Sequence, residues 1–229
     1  MKKIVFHCLV AAFWLLVFAE LISIGYTIPW LEHLAKPLLM PALCGILFYS
    51  MVKMPGRNLI LTGLIFSWVG DTCLLLEPRN AIFFIAGLAG FFITHVSYIL
   101  YFLSINPGEP SFLQRQPIFI VIVLFYGTGL VWFLFPFLGQ MKLPVILYAS
   151  AICSMLLCSI HILTKVQQPS NHLFISGAVL FVLSDSILAV NKFYEPLPFA
   201  GIWIMISYCA AQYFIVSGFI RLGNGHACE

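Results

Sequence analysis

The sequence predicts an all-α membrane protein: one domain over residues 1–229, built from eight transmembrane helices. Three observations predict it. The 229 residues are 62% hydrophobic and 8% charged, with mean hydropathy +1.05. A water-soluble core cannot hide that much apolar surface, whereas a bilayer accepts it. Apolar runs long enough to span recur eight times. The segments between them are short and carry the proline and most of the charge, as helix connections do.

The first run, about 4–27, follows Lys2 and Lys3 in MKKIVFHCLVAAFWLLVFAE. It has the look of a signal peptide. It continues past Glu20 without a small-x-small cleavage site, so a retained first span is expected. The remaining spans fall at about 35–53, 58–76, 81–104, 117–137, 142–164, 171–190 and 198–220. The breaks are PWLEHLAKP, KMPGRN, EPRN, INPGEPSFLQRQP, FLGQMK, TKVQQPSN and NKFYEPLP. Trp30, Trp132 and Trp203 fall near span ends, where interfacial aromatics collect.

Charge sets the expected orientation. An even number of spans puts both termini on one side, together with Lys2, Lys3, Lys53, Arg57, Arg115, Lys165 and Arg221. The other side holds Lys36, Arg79, Lys142 and Lys192. The excess predicts cytoplasmic termini. Short loops and the lack of any N-x-[ST] sequon fit a bacterial inner membrane. The formal charge of +3 gives no reason to expect a nucleic-acid partner. The seven cysteines are scattered through apolar runs without CxxC spacing and read as small apolar filler.

Three acids lie inside spans: Glu20, Asp71 and Asp185. An ionised carboxylate at the bilayer centre costs roughly 2.5–3.5 kcal/mol on insertion scales, so such groups default to a functional reading. All three fall in the outer halves of spans running outward. TGLIFSWVGDTCLLL (62–76) aligns with SGAVLFVLSDSILAV (176–190) at an offset of 114 residues, matching Gly63 to Gly177 and Asp71 to Asp185. The same offset maps Gly87 onto Gly201. Two parallel four-helix repeats, 1–114 and 115–229, are therefore expected, with the aspartates facing across their common axis.

A polar set surrounds that pair. Lys36 opens the second span, and Thr94, His95 and Tyr98 crowd one turn of the fourth. Tyr148 opens the sixth, Lys192 follows the seventh, and Tyr208 and Gln212 stand four apart in the eighth. Taken singly, each has a structural reading: His95 as a hydrogen-bond partner, Tyr148 as packing, Gln212 as a tie between helices. The lysines read as snorkelling cations, and Ser184 and Ser186 as back-bonding to their own helix. There is no GxSxG elbow, HExxH or phosphate loop, and no cofactor or metal is called for. The residues leave three classes open: an enzyme, a proton-coupled transporter, and a lipid-binding scaffold whose aspartates only pair helices.

KPLLM, GDTCLLL, FFITHVSY, SDSILAV and YCAAQ, in this order along the chain, resemble segments of the YhhN-like family of lysoplasmalogenases. The resemblance runs from about residue 30 to 220, and the paired [GS]-D-x-x-L segments are its most specific part. It implies eight helices and hydrolysis of the vinyl ether bond of lysoplasmalogens, giving a fatty aldehyde and glycerophosphoethanolamine or glycerophosphocholine. It implies Asp71 and Asp185 as the catalytic pair, with Lys36, His95, Tyr148, Tyr208 and Gln212 lining the site. Lys36 or Lys192 would receive the lipid phosphate. The expected partners are the lysophospholipid, water and the bilayer. The oligomeric state stays open, a homodimer included.

Overall fold

A computed structural model of the chain describes residues 2–50, 52, 54–105 and 111–225. Lys53, residues 106–110 of the loop containing Glu109, and the tail with Cys228 and Glu229 lie outside them. Eight helices are long and apolar enough to cross a membrane, and the chain is a multi-pass membrane protein. They are numbered here α1 (Lys2–Gly25), α2 (Pro29–Tyr49), α3 (Arg57–Leu76), α4 (Ile82–Ser104), α5 (Ile118–Leu134), α6 (Lys142–His161), α7 (Ser170–Phe193) and α8 (Ala200–Gly225).

Two elements depart from the sequence expectation. PWLEHLAKP reads as a break, but α2 already begins at Pro29. Proline at the first helical position loses no bond, because that N–H has no intrahelical acceptor, and Glu32 in the first turn complements the helix dipole. Lys36 therefore sits in the second turn of α2, not at its start. Pro37 and Pro41 then lie inside the helix. Pro41 has no N–H to give to the Pro37 carbonyl four residues back. The Trp68 indole supplies the missing donor, reaching that oxygen from α3 at 2.9 Å. The second departure is a one-turn helix, Phe112–Arg115, inside a segment that reads as loop. Ser111 and Gln114 close it as a reciprocal capping box.

The closest helix pairings are α7 with α8, α3 with α4, and α1 with α2. Small residues permit them. A Cβ on Gly90 would stand 2.9 Å from the Phe66 carbonyl oxygen and 3.1 Å from the Gly70 nitrogen, so α3 and α4 meet backbone to backbone. A Cβ on Gly177 would meet the Ala211 carbonyl oxygen at 2.9 Å, which fixes α7 against α8 in the same manner. Tyr98, Tyr101, Phe102, Phe174, Phe181 and Phe219 fill the centre. α5 is peripheral: it buries only Val123 and Leu134, packs Leu130 beside Leu134, and turns most of its other apolar side chains outward.

Candidate functional site

A cavity of about 350 Å³ opens at the end of the bundle where α1 and α3 finish and α2 and α8 begin. Asp71, Asp185, Lys36 and Tyr208 line it, together with Glu32, Glu77 and Ser184. Four of the eight candidate residues thus share one wall system, although they come from four different helices.

Asp71 is 2% exposed. The Tyr208 hydroxyl donates to its Oδ2 at 2.8 Å, from α8. The Phe91 ring stands edge-on to Tyr208 and fixes the phenol. Gly70 makes room for that ring, since a Cβ there would lie 2.7 Å from it.

Asp185 is held by a different set. Its side chain keeps 12% of its surface exposed. The Tyr148 hydroxyl donates to Oδ2 at 2.5 Å, and His95 Nε2 stands 3.3 Å from the same oxygen. His95 Nε2 also lies 3.0 Å from the Tyr148 oxygen. Tyr148 gives its hydrogen to the carboxylate, so both neighbours of Nε2 are acceptors and Nε2 carries the ring hydrogen. His95 is fully buried and packs its edge on Phe181, with Nδ1 unpartnered among the described residues. His95 and Tyr148 thus stand behind Asp185, away from the cavity lining.

Gln212 is one layer deeper still. Tyr98 donates to its Oε1 at 2.6 Å, and its Nε2 donates to Ser67 at 2.8 Å. Ser67 lies 3.0 Å from Thr94, which donates to the Gly63 carbonyl at 2.9 Å. This buried network ties α3, α4 and α8 together beneath Asp71 and does not line the cavity. Thr94 and Tyr98 face it, while His95, on the same turn, faces α6 and α7.

The two lysines differ. Lys36 faces the cavity, with Nζ 4.0 Å from Glu32. Lys192 bonds Glu77 and lies over the Phe84 ring, 5.1 Å from its centroid. It reaches the site only through Glu77, which does line the cavity. Among the described residues no three His, Cys, Asp or Glu side chains cluster as metal ligands would.

Sequence reasoning passed over Ser67 and Glu77, and it read Ser184 as back-bonding to its own helix. Ser184 donates to the Ile204 carbonyl on α8 at 3.0 Å and not to its own helix, whereas Ser186 does back-bond, to Val182.

The YhhN family model matches residues 31–219. The chain belongs to the YhhN family. Among curated relatives it is similar to the lysoplasmalogenase TMEM86B of Homo sapiens, 31% identical over 84% of this chain and 76% of that protein. The Mus musculus protein of that name is 33% identical with the same coverage. A protein named lysoplasmalogenase from Mycobacterium tuberculosis is 29% identical over 71% of this chain and 60% of its own length. No solved structure matches. The eight candidate residues fall within the stretch that the YhhN model covers, from Lys36 to Gln212, whereas the cavity wall from α1 precedes it.

Proposed function

We propose that this YhhN-family protein hydrolyses the vinyl ether bond of lysoplasmalogens. The products are a fatty aldehyde and glycerophosphoethanolamine or glycerophosphocholine. The observation that carries the reading is the pair of intramembrane aspartates on one cavity, each gripped by a tyrosine hydroxyl. The names of the curated relatives support the same substrate class.

The chemistry of the bond explains why two carboxyls suit it. A vinyl ether is stable to hydroxide and labile to acid. One carboxyl, protonated, gives its proton to the β-carbon, and the double bond's electron pair becomes the new C–H bond. The α-carbon becomes an oxocarbenium centre, stabilised by the second, ionised carboxylate. Water adds to that carbon and passes a proton to the carboxylate. The hemiacetal then loses its hydroxyl proton and breaks its bond to the glycerol oxygen, which is protonated as it leaves. One water is consumed and the two carboxyls end as they began. Paired carboxyls divide the same labour at glycosidic bonds.

The remaining residues have supporting parts. Lys36, on the cavity wall, receives the lipid phosphate, and Lys192 holds Glu77 at the rim. Tyr148 and His95 hold Asp185, and Tyr208 holds Asp71. Gln212 braces the helices that carry Asp71 and Tyr208. The apolar bundle takes the alkenyl chain. Both termini lie in the cytoplasm and the site faces the periplasmic leaflet of a bacterial inner membrane.

The chain is further read as two parallel halves, 1–114 and 115–229. Tyr98 and Gln212 are 114 residues apart, as the aspartates are, and hydrogen-bond to each other directly. Equivalent residues touch only near the axis that relates two repeats, which supports this reading.

The test is aldehyde release from lysoplasmenylethanolamine and lysoplasmenylcholine by purified protein in detergent. The saturated alkyl-ether counterparts serve as controls. Aldehyde from the vinyl ethers alone is expected. No aldehyde from folded protein with either headgroup overturns the reading and directs attention to solute uptake in proteoliposomes.

A further inference from the structure

The aspartate cavity, about 350 Å³, is at the low end of small-molecule pockets. It holds a glycerophospho headgroup and a vinyl ether, but not a long hydrocarbon chain as well. That chain must pass between helices into the bilayer. The products pose the same problem. The glycerophospho alcohol is polar and suits the rim, where Glu32, Lys36 and Glu77 stand. The aldehyde is as apolar as lipid and needs a hydrocarbon exit.

A groove of about 270 Å³ lies between α4 and α6. Ile85, Leu88, Ala89 and Phe92 of α4 line it with Leu147 and Tyr148 of α6. From Ile85 to Phe92 it follows two turns of α4, about 10 Å. Its side chains are hydrocarbon except for the Tyr148 hydroxyl, and that hydroxyl donates to Asp185 Oδ2 at 2.5 Å. A single phenol therefore separates this groove from a carboxyl on the cavity wall. The helix packing leaves the groove uncovered. α1 packs on both α2 and α8, whereas α5 packs on α6 with no comparable packing on α4. A second apolar groove, about 380 Å³ between α5 and α6, lacks the link: among the described residues none of its lining side chains bonds either aspartate.

We propose that the α4–α6 groove is the chain site, which takes the alkenyl chain of the bound lysolipid and releases the fatty aldehyde sideways into the bilayer. Tyr148 is the partition: its ring faces the hydrocarbon and its hydroxyl holds Asp185. The headgroup enters and leaves at the polar rim, and the chain at the groove. Ala89 and Leu147, on facing walls, set how much chain the groove accepts. The identity of the lipid as a vinyl ether rests on the proposed function; the binding of a single-chain lipid in the groove does not.

Photolabelling of the full-length protein reads chain binding without any turnover. The probe is an alkyl-ether lysophosphatidylethanolamine with a diazirine in its chain. Label is expected on α4 and α6 around Ala89 and Leu147. Unlabelled alkyl-ether lysolipid should displace it, and two-chain phosphatidylethanolamine should not. Ala89 is exposed, so Ala89→Phe fills the groove without entering the core, and it should abolish the label. In the aldehyde assay, Ala89→Phe is expected to lower kcat/KM for hexadecenyl lysoplasmenylethanolamine by about tenfold, the low end of what a misfitted hydrophobic pocket costs. The octenyl substrate should be turned over as by wild type. Ala149→Phe, in the α5–α6 groove, should change neither. Label on other helices, or label displaced equally by the two-chain lipid, overturns the proposal. An Ala89→Phe loss equal for both chain lengths also overturns it. If Ala89→Phe does not fold, Leu147→Trp on the facing wall takes its place. Displaceable label on a wild type that releases no aldehyde sinks the proposed function and leaves the chain site standing. Aldehyde release with an unaltered chain-length profile in Ala89→Phe does the reverse.

Discussion

Asp71 and Asp185 sit in nearly matching stretches of sequence, yet the molecule holds them differently. Asp71 is buried and has one protein donor, Tyr208. Asp185 is partly open to the cavity and has Tyr148, with His95 behind both. The neighbouring positions differ too. Gly70 lets α4 approach α3 closely, whereas its counterpart Ser184 ties α7 to α8 through the Ile204 carbonyl. One arm relies on close packing and a single bond, the other on redundant polar contacts. Two similar stretches thus hold two carboxyls in unequal settings, which is what the proposed reaction, needing both a proton donor and a proton acceptor, requires.

The largest expected effect treats the arms alike. Asp71→Asn and Asp185→Asn each remove a group to which the proposed mechanism gives a proton transfer. Each should lower the rate of aldehyde release by roughly 1,000-fold or more while the protein stays folded in detergent. Survival of either variant near wild-type rate would break the pairing itself.

The next effect separates the arms. Tyr208→Phe leaves a buried carboxyl without its one donor among the described residues, a loss of about 1–3 kcal/mol. It should cost roughly 10- to 100-fold in kcat. Tyr148→Phe leaves His95 within reach of Asp185, so it should cost roughly tenfold or less. Adding His95→Gln to Tyr148→Phe should then cost more than the two single losses combined, as coupled partners do. A Tyr148→Phe loss larger than that of Tyr208→Phe would reverse the comparison.

Packing sharpens it further. Gly90→Ala drives a methyl group into the backbone of α3 beside Asp71. It should lower the thermal midpoint and the activity together. Gly129→Ala, on peripheral α5 with nothing within 4 Å, should change neither. The smallest effect is expected at the rim. Lys192→Gln frees Glu77 but removes no group from the cavity wall, so KM should rise by about two- to threefold with kcat unchanged.

Much of this was legible in the residues. Long apolar runs mark spans whatever their packing, and an acid inside such a run stands out at once. The match between the two aspartate stretches was visible because it rests on Gly and Asp, which apolar drift does not produce. Rotation of the helices was not legible. In a helix that is apolar all round, periodicity barely distinguishes the lipid face from the bundle face. Hence Thr94, His95 and Tyr98 read as one polar turn, although His95 serves Asp185 and the other two serve Gln212. The start of α2 was hidden for another reason. Pro29 and Pro37 argue for a break, yet Pro29 stands at the first helical position, where no bond is lost, and the distant Trp68 indole bonds the carbonyl that Pro41 leaves free. Ser67 and Glu77 escaped notice because their partners lie on other helices, far away in sequence.

Isotope tracing tests the central claim most directly. Wild-type protein is given lysoplasmenylethanolamine in deuterium oxide enriched in heavy oxygen, and both products are trapped at once. Protonation of the β-carbon and attack of water at the α-carbon predict one deuterium beside the aldehyde carbonyl. They also predict no heavy oxygen in the glycerophosphoethanolamine. Heavy oxygen in that product, or an aldehyde without deuterium, would contradict the account.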